Sequence, residues 1–244
     1  MSITPHPVPP ARNHRAKGTR FLSEAHAINA VEGCAFAEKI GRPLNHAAAI
    51  HFDAGGATGR AQDVVGHYLR MAGQWLADRG EQSTYIWFLE HRKNDPEKGL
   101  HVHLLFYVPR SLGDQFRKLA RDGWARQAGI NPKPGVVHIQ AVGSKGGQRY
   151  YYPEHADTPD ARDKRMAAIK GKLRYILKGQ DPTAPGLIIS DDGATPASAL
   201  LKVRTEENEI IYGRRVSLSR NIGATARQRW RDSRLASLPA HPIG

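Results

Sequence analysis

Residues 85–109, YIWFLEHRKNDPEKGLHVHLLFYVP, decide how this chain folds. Two apolar runs, YIWFLEH (85–91) and LHVHLLFYVP (100–109), carry the aromatic and β-branched side chains that suit a buried pleated surface. The intervening RKNDPEKG (92–99) is polar and broken by Pro96 and Gly99, which marks a turn. The stretch therefore reads as an antiparallel hairpin. Side chains at i and i+2 share one face of a strand, so His101 and His103 point the same way. Val102, Leu104, Phe106 and Val108 point to the opposite, buried face. Residues directly opposed across a hairpin also share a face, so pairing Glu90 with His101 or with His103 adds a carboxylate to the histidine face. A one-residue slip would turn it away. His91 has the other parity, which makes Glu90 the preferred partner.

Working outward, SEAHAINAVEGCAFAEKI (23–40) predicts a helix with Ser23 as N-cap, broken by Gly41, Arg42 and Pro43. LNHAAAIHFD (44–53) reads as a strand weakened by its alanines, and GGATG (55–59) as a turn. Residues 60–79 are helical, with Val64, Tyr68, Met71, Trp75 and Leu76 on one face. Residues 112–127 form another helix, GVVHIQAV (135–142) a strand, 143–160 a long loop, and 161–178 a helix. The resulting βαββαβ order predicts an α+β fold: a central antiparallel sheet with helices on one side, the ferredoxin-like plan. Residues 1–22 are expected to be a flexible basic arm, 23–182 the main domain, and 183–244 a basic C-terminal extension or small subdomain. GLIIS (186–190), ALLKV (199–203) and EIIYG (209–213) are candidate short strands within that extension.

The composition narrows the function. The chain has 244 residues, 40% of them hydrophobic, enough for a core. Its 36 lysines and arginines against 23 acids give a net charge of +13, which favours a polyanionic partner, nucleic acid first among them. Cys34 stands alone, so no internal disulfide forms and cysteine-rich zinc modules are excluded. No apolar run reaches ~18 residues, and the N-terminus lacks the apolar core of a secretory signal. A cytoplasmic protein with no membrane partner is expected.

Two histidine nitrogens and one carboxylate oxygen leave positions open on a divalent ion, a set that suits Mg²⁺ or Mn²⁺ bridging to phosphate. His51 and Asp53, at the end of the preceding strand, are placed to support such a site. The third element is KRMAAIKGKLRYILK (164–178), which holds Lys164, Arg165, Lys170, Lys172, Arg174 and Lys178 and no acid. Tyr175 and Lys178 stand three apart on one helix face. A cation beside a phenol favours phenolate, so Tyr175 is a candidate phosphoryl nucleophile and Lys178 its partner. Packing alone, with Ile176 and Leu177, is the alternative for Tyr175. Tyr150, Tyr151 and Tyr152 lie among basic residues in the long loop; they suit stacking on unpaired bases and are rival nucleophiles. Residues 214–234 hold seven arginines against one acid, and Arg214, Arg215 and Arg220 are candidate phosphate contacts together with Lys170, Lys172 and Arg174.

In combination, His101-Val102-His103 in a strand, Glu90 on the strand before it, and Tyr175-Ile176-Leu177-Lys178 in a downstream helix resemble the HUH endonuclease superfamily. That superfamily comprises rolling-circle replication initiators, relaxases and related transposases. The chain looks most like the small plasmid- or phage-type initiators with one catalytic tyrosine. The resemblance implies an ion held by His101, His103 and Glu90, attack by Tyr175 on a phosphodiester, and a 5′-phosphotyrosine with a free 3′-OH that primes a polymerase. It also implies single-stranded or hairpin DNA at a replication origin as substrate, in a bacterial, plasmid or phage setting. No GxxxxGK[ST] is present, so a host helicase would unwind the DNA. Gly171 occupies the position four before Tyr175, so the two-tyrosine form of the motif is not matched. A relaxase, a transposase, a non-catalytic nucleic-acid-binding protein on the same fold, and a basic RNA-binding module are the alternatives.

Overall fold

The computed structural model describes residues 18–92, 99–142, 159–177 and 209–236. Its elements are β1 (Gly18–Thr19), α1 (Glu24–Lys39), β2 (His46–His51), α2 (Ala61–Ala77), β3 (Thr84–His91), β4 (Leu100–Tyr107), α3 (Gly113–Lys118), α4 (Trp124–Gln127), β5 (Val137–Ala141), α5 (Pro159–Ile176), β6 (Ile211–Tyr212), β7 (Val216–Leu218) and α6 (Ala224–Ala236). The main sheet runs β5-β2-β4-β3-β7, antiparallel at every pairing. The first four of these are the strands of the βαββαβ unit in the ferredoxin-like order. β1 and β6 form a separate two-stranded ribbon.

The hairpin forms in the register that places Glu90 opposite His101 and Phe88 opposite His103. β2 lies along the other side of β4, with His51 opposite His101 and Ala49 opposite His103. The start of β2 is clamped by buried Asn45, whose amide donates to Val108 O (2.8 Å) while its Oδ1 accepts from Val108 N (2.9 Å). Fixing both backbone groups of Val108 leaves β4 no freedom to slip, and the parity of His101 and His103 follows from that.

Helices cover both faces of the sheet, not one as the element order suggested. On the first face Val102, Leu104, Phe106, Trp87 and Leu89 pack against α2 and the α3–α4 segment. On the second, Ile86, Phe88, Leu105 and Val216 pack against α1 and α5. The reason lies in β3 and β4, which are apolar on both faces and would otherwise leave large side chains in water at about 1.5–3 kcal/mol each. Ser23 caps α1 by accepting from His26 N (3.3 Å), as expected. The helix expected over 112–127 is interrupted by a wide turn at Leu119–Gly123. There the buried Tyr68 hydroxyl donates to Ala120 O (2.8 Å).

The described part of the C-terminal extension builds onto this unit. β7 is the edge strand beside β3. α6 packs on α1 through Phe36 and Trp230, whose rings meet edge-on at 5.9 Å. The buried Arg227 guanidinium donates to Glu32 Oε2 (2.8 Å), Asn29 Oδ1 (2.8 Å) and Ile222 O (2.8 Å). Among the described residues no helix is long and apolar enough to cross a membrane.

Candidate metal centre and nucleophile

On the second sheet face, near one end of the β3–β4 hairpin, three ligand atoms converge. Glu90 Oε2 lies 3.1 Å from His101 Nε2 and 3.3 Å from His103 Nε2, and all three residues are buried. They form a group able to hold a metal ion. The tautomer of His101 is set from behind. Its Nδ1 is 3.0 Å from Gly99 O, which only accepts, so Nδ1 carries a proton and donates. In the neutral ring Nε2 then presents a lone pair toward a carboxylate oxygen. Two electron-rich atoms at that separation need a positive centre between them, a proton or a metal ion. The donor set fits a metal for this reason.

The electrostatics favour the ligand forms. Burial opposes ionisation of Glu90, but hydrogen bonds to His101 and His103 and their charge outweigh it, holding the carboxyl well below the usual range. Burial lowers the pKa of His103, while the hydrogen bond it makes to Glu90 and that carboxylate's charge act the other way.

Asp53 supports the site from β2's end, a role the sequence left open. Its Oδ2 accepts from Leu100 N at 2.7 Å and so fixes the start of β4. Gly99 has φ +20°, and a Cβ there would overlap Asp53 Oδ2, so glycine is required. The carbonyl that orients His101 is positioned by this contact.

Tyr175 stands on α5 above the same cluster. Its ring meets His103 edge-on, centroids 5.5 Å apart at 82°. α5 buries Ile169, Leu173, Ile176 and Leu177 against the sheet, a helical stripe, whereas Tyr175 is 49% exposed. Tyr175 is therefore not packed as its two neighbours are. Tyr175, His101 and His103 line a shared cleft of about 320 Å³. Its wall includes Ala47 and Ala49 of β2, His51, His138 and Gln140 of β5, and Lys172. His51 stacks on His101 with centroids 5.2 Å apart. Burial lowers the pKa of Lys172.

Arg92 was not singled out in the sequence, yet it joins the two halves of the site. Its Nε donates to Glu90 Oε1 (3.2 Å) and its Nη2 to the Tyr175 hydroxyl (3.2 Å). One guanidinium thus touches both the ligand carboxylate and the candidate nucleophile. Strand parity carried the signal, since residues 90 and 92 share a face. The same parity in VHIQA places His138 and Gln140 on the cleft side.

The other expected residues fall in several places. Lys178 and Tyr150, Tyr151 and Tyr152 lie outside the described residues, and so does the Arg174 side chain. Lys170 and Arg220 are exposed, and so is Arg214. Arg215 is different: it is 3% exposed, and its guanidinium donates to Thr19 O (3.0 Å). Burial lowers its pKa to about 10, with the charge of Glu90 acting against that shift. This burial keeps Arg215 away from a phosphate-facing surface, so it was wrongly grouped with its neighbours. Arg215 lies just before β7 and is buried together with Val216, the first residue of that strand. His91 points to the opposite face from Glu90, where it lines a cavity with Leu89 and Leu100.

No family model, curated protein or solved structure matches the chain.

Proposed function

We propose that this protein is a metal-dependent single-strand DNA endonuclease and strand transferase that initiates rolling-circle replication. One observation carries the reading: Tyr175, His101 and His103 line one cleft, and Arg92 bridges the Tyr175 hydroxyl to Glu90 of the same cluster. A divalent ion, Mg²⁺ or Mn²⁺, held by these three residues would supply positive charge to a non-bridging phosphate oxygen. The chain's own residues do the rest. Tyr175 Oη attacks phosphorus; the bond from phosphorus to the 3′ oxygen breaks, and that oxygen leaves as a 3′-OH after taking a proton. The phenol proton is released as the bond to phosphorus forms. The product is a 5′-phosphotyrosine, and the reverse attack by a 3′-OH rejoins the strand. Arg92 holds the hydroxyl and favours the negative charge that develops on it. Lys172 lies in the cleft wall three residues before Tyr175, where it would meet a phosphate chain bound there. The net charge of +13 supports a nucleic-acid substrate, and unpaired DNA fits a cleft with histidine rings along its wall.

The test is cleavage of a labelled single-stranded DNA pool by wild type, Tyr175→Phe and His101→Ala/His103→Ala, with Mn²⁺ and with EDTA, before and after protease digestion. A covalent 5′ adduct that needs metal and vanishes in Tyr175→Phe is the expected result. An adduct that persists in Tyr175→Phe moves the nucleophile elsewhere and overturns this mechanism. DNA binding that survives both lesions, without cleavage of origin-bearing DNA, makes the protein a non-catalytic binder on the same fold.

A further inference from the structure

A larger cavity, about 620 Å³, lies on the opposite face of the sheet, between α2 and the β3–β7 edge. Its lining combines three chemistries. Trp87 and Tyr85 of β3 supply aromatic surface. Arg70 of α2 and Arg214, just before β7, supply positive charge, and both are exposed. Neither has a carboxylate partner among the described residues. Ser83 supplies an Oγ that is buried without a hydrogen-bond partner among the described residues. The Tyr85 hydroxyl feels the same field: burial raises its pKa, and Arg214 and Arg220 draw it back.

The groove is kept open by the choice of residue on α2. Gly66 lies inside that helix, where glycine costs about 0.5–1 kcal/mol relative to alanine. A Cβ at Gly66 would meet only Arg70 Nη1, at 3.9 Å. Packing therefore does not demand glycine there, and its place in the lining leaves that part of the groove wall without a side chain. A half-exposed Tyr85 ring beside two guanidinium groups without carboxylate partners matches a base with its phosphate: the base stacks on the ring, and the phosphate takes the charge-assisted hydrogen bonds.

We propose that this groove binds one nucleotide unit, independently of the metal centre on the other face. The unit is either a free mononucleotide or one residue of an unpaired strand. This goes beyond the proposed nuclease activity and does not need it.

The experiment measures binding of the full chain, in EDTA, to thymidine 5′-monophosphate by equilibrium dialysis and to a labelled oligothymidylate by anisotropy. The variants are Gly66→Leu, which fills the groove, and Arg70→Ala/Arg214→Ala. An abasic phosphodiester oligomer serves as the charge-only competitor. Expected is a loss of about tenfold or more in oligothymidylate affinity for both variants. In the arginine variant the salt slope should also fall by about 0.7 per lost phosphate contact. Gly66→Leu should melt at the wild-type temperature or above it, so a folding defect cannot produce its loss. Mononucleotide binding sensitive to the same variants makes the groove an autonomous nucleotide site; sensitivity of the oligomer alone makes it a strand subsite. Unchanged affinity in both variants overturns the proposal, and equal competition by the abasic oligomer overturns the base-stacking half of it. Groove variants that lose this binding but still form the Tyr175 adduct separate this site from the nuclease, and so does a Tyr175→Phe protein that keeps it.

Discussion

His46 makes the folded protein acid-sensitive in a way that can be calculated. It is fully buried at the start of β2. Its Nδ1 faces Asn45 Oδ1 at 2.8 Å, and its Nε2 lies 3.2 Å from Arg117 Nη1. A guanidinium only donates, so Nε2 accepts, Nδ1 donates, and the ring must be neutral. Burial, aided by Arg117 and opposed by Asp114, pushes its pKa down to about 3. The unfolded chain has an ordinary imidazole near 6.5. Below about pH 6.5 the unfolded state takes up a proton that the native state refuses. Stability is therefore full above that pH and falls as the pH drops toward 3, at about 1.4 kcal/mol per unit. Between pH 7 and pH 5 the loss from this one residue is about 2 kcal/mol, a large share of the 5–15 kcal/mol typical of domains. The assay is urea unfolding at both pH values, followed by tryptophan fluorescence, in wild type and His46→Gln. Glutamine offers a donor and an acceptor as the neutral ring does, but does not titrate. The other histidines contribute equally to both proteins and cancel. The wild-type midpoint should fall by roughly 1 M more than the variant's, for a slope near 2 kcal/mol/M. Equal losses in the two proteins would refute the argument, because they would mean that His46 accepts a proton without unfolding the chain.

Three further outcomes concern the site. Arg92→Ala should slow single-turnover cleavage by roughly 10²–10³, the usual cost of one donor aimed at developing charge. Its Mn²⁺ affinity, read by calorimetry, should fall by about 10–100-fold because Glu90 loses its guanidinium partner. Asp53→Ala frees Leu100 N and loosens Gly99, so metal affinity should drop about tenfold, and Asp53→Asn, whose amide oxygen still accepts, should restore most of it. Ala49→Leu should fill the cleft between His103 and His138, abolishing cleavage while Mn²⁺ binding stays at the wild-type value; retained cleavage would show that the strand does not cross β2.

The β3–β4 hairpin was legible because every local signal there agreed: apolar runs, a polar turn, and a parity that put Glu90 on the histidine face in either of two useful registers. That agreement carried Glu90, His101 and His103 to the right face before any tertiary contact was known. Arg92 and Arg215 were not legible for a shared reason. Each is a cation with a partner far along the chain, Tyr175 for Arg92 and Thr19 for Arg215, although strand parity alone sets Arg92 beside Glu90. A cation's burial is settled by what packs over it, and composition sees only its charge. Arg215 thus reads like its exposed neighbours Arg214 and Arg220, although it is buried against Thr19.

β2 gives the opposite lesson. Its run of alanines lowered its strand signal, since alanine lacks the β-branched bulk that favours sheets. In the sheet those residues divide by parity. Ala48 is buried on the α2 face, whereas Ala47 and Ala49 border the cleft beneath His103, His138 and Gln140. A β-branched residue at either cleft position would strengthen the strand and remove space above it. Gly66 on α2 shows the same trade on the other face, a poor helix former beside an open groove. In both places a residue of low local propensity borders a concavity, although Ala48 shows that the core of β2 holds one as well. Ala47 and Ala49 on one face and Gly66 on the other thus each border a concavity, where a bulkier residue would take up space.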